Sequence, residues 1–488
     1  MDNLTLKFLV VQILEKILRM ERFLDNAALM GARSDQEVVN TFKSHLNVIK
    51  TEFYFTVRHV GAKKLSENSV PIILRLLATC FHSVDQLHLH LAYVVGQWTS
   101  PEARVFVKAV FENFGAGLTK NKDLSVVLSD TYMFEETDLA TYLAQRAGIS
   151  NKNNLQTPTL FLPKVEAENP LQWGTLIHEM GHAVAEKVKT IMTPAEVKAI
   201  AGDSEVGTHV LFDWLEETYC DLISLHLLGP AYLASFVEFI MVIGSEGFLE
   251  KASATHPHPR MRVFTMFSRL EKRSVKCSFS CDETKPWGDL ASLYYKLFED
   301  RCRLEREHLN PPFQAVETLP INVAQFRTCL EAHVEEVVPI DKSLKTFDQR
   351  KFSKLSQRLE DGIPIGSYSP VQVEKGDKEA LESMKLLRKR LQSGKTENRT
   401  EIETHLNSIR SRVRETPCTI AEIVNAGWLY KCEKIYYEAL SKLGSFGPEQ
   451  EEKFKAQLFS LDALLRNSIE TSYLNTLFSS HINKEEAK

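Results

Sequence analysis

Apolar residues recur at intervals of three and four along most of the chain, a spacing that predicts a mainly helical protein. The pattern places helices over residues 4–30, 35–55, 70–95 and 101–114, and forms an N-terminal helical region. Two short runs, 124–128 and 157–162, read instead as strands. Helical spacing resumes over 169–188, where Asn169 is the expected N-cap and Pro170 the first helical residue, and again from 210 to a stop at Gly229-Pro230. The most apolar later stretch, 228–243, is too short for a membrane span and carries Glu238, so it reads as a buried helix. Beyond residue 340 the chain turns charged and then turn-rich, with Gly362-Ile-Pro-Ile-Gly366 and Ser367-Tyr-Ser-Pro370. Residues 377–480 are helical by pattern almost throughout. The expected organisation is an N-terminal helical region over 1–118, a core with a small sheet over 119–270, a helical and irregular connection over 271–375, and a C-terminal helical region over 376–488. The fold class is mainly α, of an α+β kind.

Chemistry concentrates at His178-Glu179-Met180-Gly181-His182. On a helix His178 and His182 lie four residues apart on one face and can reach one small cation, while Glu179 is rotated by roughly 100° from His178. That offset keeps its carboxylate out of the ligand set but beside a water activated there. Zn2+ acidifies such a water, and Glu179 is the candidate general base.

A catalytic zinc takes three protein ligands and keeps one position open. The next helix offers Glu217 and Asp221, again four apart: Glu217 as third ligand, Asp221 as acceptor for the outer nitrogen of a ligating His, His178 first. Glu216 is the rival ligand, although its own i+4 position is Cys220, which supplies no such carboxylate.

With these residues in place the chain resembles the gluzincins, zinc metallopeptidases with H-E-x-x-H on one helix and a glutamate ligand on the next. Glu217-Thr-Tyr-Cys-Asp221 is similar to the E-x-x-A-D form of the HtpX and CaaX-prenyl-protease type and of ImmA/IrrE-like peptidases, with Cys220 in the alanine place. Thr255-His-Pro-His-Pro-Arg-Met-Arg262 resembles the His-Pro segment and following arginine of the HtpX-like group. The resemblance implies that His256 donates to the oxyanion of the tetrahedral intermediate, with His258 as the alternative, and that Arg262 is a supporting cation behind the ligands. It also implies a zincin-like core in which the strand before the zinc helix offers its edge to extended substrate, here 157–162. It covers about residues 155–265 and departs from its membrane-embedded members, because no span is expected here.

Composition narrows the partners. The chain of 488 residues has 43% hydrophobic and 25% charged residues and a net charge of −5, so no electrostatic reason points to nucleic acid or acidic membranes. The basic cluster at 385–390 reads as a solvated helix face, and His82, His88 and His90 as structural histidines. The N-terminus lacks the basic leader and cleavage site of a signal peptide, and the eight cysteines read as reduced thiols, Cys277 and Cys281 included, which together suit the cytoplasm. The expected function is therefore zinc-dependent hydrolysis of peptide bonds in a peptide or protein substrate. The alternatives are a non-catalytic, zinc-stabilised interaction protein and a regulatory peptidase dedicated to one protein substrate.

Overall fold

A computed structural model describes residues 4–30, 36–61, 69–94, 100–111, 125–129, 132–137, 157–183, 185, 191–243, 249, 252–273, 290–308, 320–337, 349–365 and 418–486. Four helices open the chain: α1 (Leu4–Met30), α2 (Gln36–Gly61), α3 (Val70–Val94) and α4 (Pro101–Phe111). A small sheet follows, built from β1 (Ser125–Ser129), β2 (Met133–Thr137) and β3 (Thr157–Pro163). The rest is helical: α5 (Gly174–His182), α6 (Pro194–Ala201), α7 (Glu205–Leu228), α8 (Pro230–Ile243), α9 (Pro259–Arg273), α10 (Leu290–His308), α11 (Val323–Val337), α12 (Gln349–Glu360), α13 (Ile420–Tyr430), α14 (Tyr437–Lys442) and α15 (Pro448–Glu486). The mainly α class with a small sheet is what the helical spacing predicts. The basic cluster at 385–390, the 366–370 turns and Cys277 and Cys281 lie outside the described residues, as do the side chains of His88 and His90; His82 is exposed on α3.

The sheet order is β1-β3-β2. β3 runs parallel to β1, with Val126 opposite Leu160, and antiparallel to β2, with Met133 opposite Phe161. This corrects the expectation that 157–162 forms the substrate edge: both flanks of β3 are already paired, so it has no ladder left to offer. β2 was missed because Met-Phe-Glu-Glu-Thr carries two adjacent glutamates and no clean alternation.

α1 is buried on nearly every side, with Phe8, Val11, Leu14 and Ile17 fully buried and the polar Gln12, Glu15 and Arg19 buried beside them, so it lies inside the fold and not on its surface. One core runs from α1 through the sheet, α5, α8 and α10 to α13 and α15, so the N- and C-terminal helices share it with the segment between them. A second, smaller core gathers α6, α11 and the first half of α7 around the edge-to-face pair Trp214–Phe326, whose ring centroids are 5.5 Å apart. α7 serves both, sending Leu222, Ile223 and Leu225 into the first and Val210, Leu211 and Trp214 into the second. Glu217 and Asp221 sit on it between the two, where burial makes every carboxylate oxygen costly unless partnered.

Polar groups also tie the large core together. Arg19 on α1 donates to Glu15 (2.8 Å) and to Asp462 on α15 (2.6 Å). Lys431, in the π-helical turn Lys431–Tyr436, lies 2.9 Å from both Glu15 and Glu238. Tyr436 donates to Glu15, and Tyr294 of α10 to Glu238 at 2.7 Å. Glu238 also accepts from Gln172, in the lead-in to α5, at 3.3 Å. Among the described residues no helix is long and apolar enough to cross a membrane.

Candidate metal centre

The helix that carries the two histidines begins later than its sequence suggests. Asn169 does not cap it: its amide donates to Glu166 Oε2 at 2.7 Å, and the indole of Trp173 donates to the Glu166 carbonyl at 3.0 Å. These bonds wind 167–173 into successive turns, with Gln172 N–H on the Asn169 carbonyl, and α5 proper starts at Gly174. From there His178 and His182 fall on one face, their rings nearly perpendicular (86°) with centroids 5.3 Å apart. Glu179, half-buried, points off that face, and among the described residues no hydrogen bond or ion pair engages it.

α5 packs tightly on α7. A Cβ on Gly181 would stand 3.0 Å from Cys220 Sγ and 3.1 Å from Cys220 Cα, so the crossing is set by a missing side chain. This close approach brings Glu217 to both imidazoles: His178 Nε2 lies 3.3 Å from Oε2, and His182 Nε2 3.5 Å from Oε1. One donor atom from each of His178, His182 and Glu217 lies within 4.8 Å of the other two, a set that can hold a metal ion.

The outer nitrogens are held from behind. His178 Nδ1 lies 3.1 Å from Asp221 Oδ1, and His182 Nδ1 lies 2.9 Å from Glu216 Oε1. An imidazole whose Nδ1 faces a carboxylate carries its proton there and turns the Nε2 lone pair inward. Glu216, the rival ligand by sequence, thus faces the back of His182. Its role depends on how two helices cross, and no spacing within α7 reveals it.

α9 and the loop before it close the site. Arg262 grips Asp221 twice, Nε to Oδ2 at 2.7 Å and Nη2 to Oδ1 at 2.8 Å, and reaches Glu217 Oε2 at 3.2 Å, with its guanidinium over the Phe236 ring at 4.6 Å. His256 Nε2 stands 3.4 Å from Glu217 Oε1, while its Nδ1 meets the Thr255 hydroxyl at 2.8 Å. His258 does something else: its Nδ1 and its carbonyl both accept from Met261 N–H, at 3.1 and 2.9 Å, which caps the start of α9. The sequence motifs did not single out Tyr232 on α8, which donates to Asp221 Oδ1 at 2.6 Å and lies 3.2 Å from His178 Nδ1.

The electrostatics suit a cation. Burial alone would lower the His178 pKa, but hydrogen bonds and charge from Asp221 and Glu217 outweigh it and raise the value from 6.5 to about 10. Burial raises Glu217, yet His178, Arg262 and His256 bring it down to about 2. Asp221 is likewise held well below the ordinary carboxylate range, burial being overcome by Arg262 and His178. Burial pushes His256 the other way, below 6.5. The carboxylates thus hold positive charge at His178 Nε2, which a divalent cation supplies by displacing a proton. Glu217 Oε2 is buried and accepts no well-formed hydrogen bond despite its cationic neighbours, so it retains coordinating capacity. Two imidazole nitrogens and one carboxylate oxygen are a donor set that Zn2+ accepts, and the residues present fit that ion. No family model matches the chain, and no curated protein or solved structure matches it either, which leaves these side chains as the ground for its function.

Proposed function

We propose that the protein is a zinc-dependent peptidase of the gluzincin type, with a zincin-like core. The observation that carries this reading is the convergence of His178, His182 and Glu217, each imidazole backed by its own carboxylate, with Glu179 on the same helix engaged by no hydrogen bond or ion pair among the described residues. When bound, Zn2+ supplies a Lewis acid that polarises the scissile carbonyl and acidifies water. Glu179 takes the proton as the water oxygen attacks the carbonyl carbon, and passes it to the amine nitrogen as the C–N bond breaks. His256 directs Nε2 toward the ligand cluster and donates to the oxygen that gains charge in the attack. Arg262 keeps Asp221 and Glu217 ionised and in place.

β2, and not β3, takes the substrate. Among the described residues it pairs with β3 alone, and α5 packs against both strands. The Tyr132 hydroxyl, one residue before β2, donates to the Gln172 carbonyl at 3.3 Å and ties this outer strand to the lead-in of α5. An extended peptide adding to β2 gains main-chain hydrogen bonds beside the histidines.

The test compares wild type with Glu179→Gln, first for zinc content and then by mapping new peptide termini in a treated cell lysate. Both proteins are expected to carry stoichiometric zinc, while the variant loses about 10²–10⁴-fold in turnover. Equal cleavage by the two would overturn the assignment, and zinc without cleavage by either would leave a zinc-stabilised interaction protein.

A further inference from the structure

Asp221 Oδ1 is more crowded than orienting one histidine requires. It receives the Tyr232 hydroxyl at 2.6 Å and Arg262 Nη2 at 2.8 Å, and lies 3.1 Å from His178 Nδ1. A phenol has a single proton, and at 2.6 Å from a carboxylate oxygen that proton lies on the line between them. The lone pairs of Tyr232 Oη then face outward, and His178 Nδ1 stands 3.2 Å from that oxygen. His178 Nδ1 therefore faces two acceptors at once. A lone pair there would oppose both oxygens; a proton there satisfies both and leaves Nε2 to coordinate. Tyr232 is 1% exposed, so its hydroxyl is shut off from bulk water.

The placement of Tyr232 is itself controlled from a distance. α7 ends at Leu228 and is capped by Gly229, with φ +61°, and α8 starts at Pro230, so the chain turns a corner and Tyr232 comes back over Asp221. The corner leaves end groups of two helices to be satisfied. Asn425 of α13 satisfies both: its Nδ2 donates to the Leu228 carbonyl at 2.8 Å, and its Oδ1 accepts from Ala231 N–H at 3.0 Å. A further bond from Nδ2 to the Ala421 carbonyl, 2.7 Å, fixes the amide to its own helix.

We propose that Tyr232 is a positioning residue of the metal centre, fixing His178 with its proton on Nδ1, and that Asn425 transmits this control from the C-terminal helices. The proposal rests on the metal-binding reading and gives the C-terminal region a part at the site that its sequence does not announce. Tyr232→Phe deletes one oxygen and keeps the ring.

The experiment uses the full chain. Zn2+ affinity is measured by competition with a chromogenic chelator, and the visible absorption of the Co2+ form is recorded at saturating Co2+, where weakened affinity does not obscure geometry. Tyr232→Phe is expected to bind Zn2+ about 10-fold more weakly and to show shifted Co2+ bands, while the metal-free protein still folds and melts cooperatively, somewhat below wild type. Asn425→Asp keeps the acceptor for Ala231 and loses both donated bonds; it is expected to move the Co2+ bands in the same direction, by less. Wild-type affinity together with an unshifted Co2+ spectrum in Tyr232→Phe would overturn the proposal, as would unshifted bands in Asn425→Asp for the part assigned to Asn425. A wild-type protein that binds neither ion removes the metal-binding reading itself, a failure visible before any variant is made.

Discussion

Glu216 and Glu217 are consecutive on one helix and address opposite sides of one imidazole: Glu216 Oε1 lies 2.9 Å from His182 Nδ1, Glu217 Oε1 3.5 Å from His182 Nε2. Neighbouring positions on a helix differ by roughly 100°, so the two carboxylates straddle the ring instead of competing for it. Removing them should therefore have different consequences. Glu217→Ala deletes a ligand and is expected to abolish stoichiometric zinc. Glu216→Ala leaves the ligands intact but frees the ring, and zinc should bind about 10–100-fold more weakly. Metal titration of both variants checks this, and a larger loss from Glu216→Ala would exchange their roles.

The two histidines of Thr255-His-Pro-His-Pro separate as cleanly. His256 Nε2 faces the ligand cluster, whereas His258 caps α9. His256→Ala should keep zinc and lose about 10²–10³-fold in turnover with KM little changed, as expected for a donor used in the transition state. His258→Ala should cost about 1 kcal/mol of stability, the worth of a helix cap, and leave turnover near wild type. Steady-state kinetics with thermal melts would settle the pair, and the opposite pattern would make His258 the oxyanion donor.

Gly181 tests whether the helix crossing itself sets the site. An added methyl gains about 1 kcal/mol of helix propensity but presses on Cys220, where overpacking costs about 1–3 kcal/mol. All three Cys220 contacts, Sγ, Cα and Cβ, are buried and one is backbone, so α7 must give by a few tenths of an ångström, shifting Glu217 relative to the histidines. Gly181→Ala is expected to melt lower and bind zinc more weakly. A more stable variant with unaltered zinc affinity would show that the crossing has slack.

What could be read from the sequence was what repeats along one element. His178 with His182, and Glu217 with Asp221, are i,i+4 pairs, so their shared faces follow from helix geometry, as do the long N-terminal helices and the stop at Gly229. What could not be read depends on how elements meet. Glu216 meets His182, and Tyr232 meets Asp221, across a helix crossing and a corner. Whether β3 is an edge or a centre is decided by β2, whose Glu135 and Glu136 hide its strand character. α5 starts later because 167–173 wind into turns tied to Glu166, and Asn169 turns its Nδ2 to Glu166 while its Oδ1, the atom that would cap, accepts no hydrogen bond among the described residues.

The buried network around Lys431 makes the last prediction. Three carboxylates, Glu15, Glu238 and Asp462, face two cations, Arg19 and Lys431, so one negative charge is in excess. Burial pushes Glu15 up, but Lys431 and Arg19 outweigh it and lower its pKa from 4.5 to about 2. Burial wins at Glu238, which is raised above 4.5, and at Asp462, which is raised above 3.8. Glu15→Gln takes one of two carboxylate partners from each of Arg19 and Lys431, which keep Asp462 and Glu238, and is expected to cost about 1.5–3 kcal/mol in urea unfolding, the worth of a hydrogen bond to a charged group. Glu238→Gln removes a charge that burial disfavours and should cost less. The pH dependence follows from the same signs. Glu15 lends stability that is complete above pH 4.5 and lost as pH falls toward about 2, so Glu15→Gln should flatten that acid limb. Glu238 favours the fold below pH 4.5 and loses that contribution as pH rises through its elevated pKa, so the deficit of Glu238→Gln relative to wild type should narrow with rising pH. Urea midpoints from pH 2 to 8 measure both trends, and a Glu238→Gln deficit that widens with pH would overturn the upward shift at Glu238.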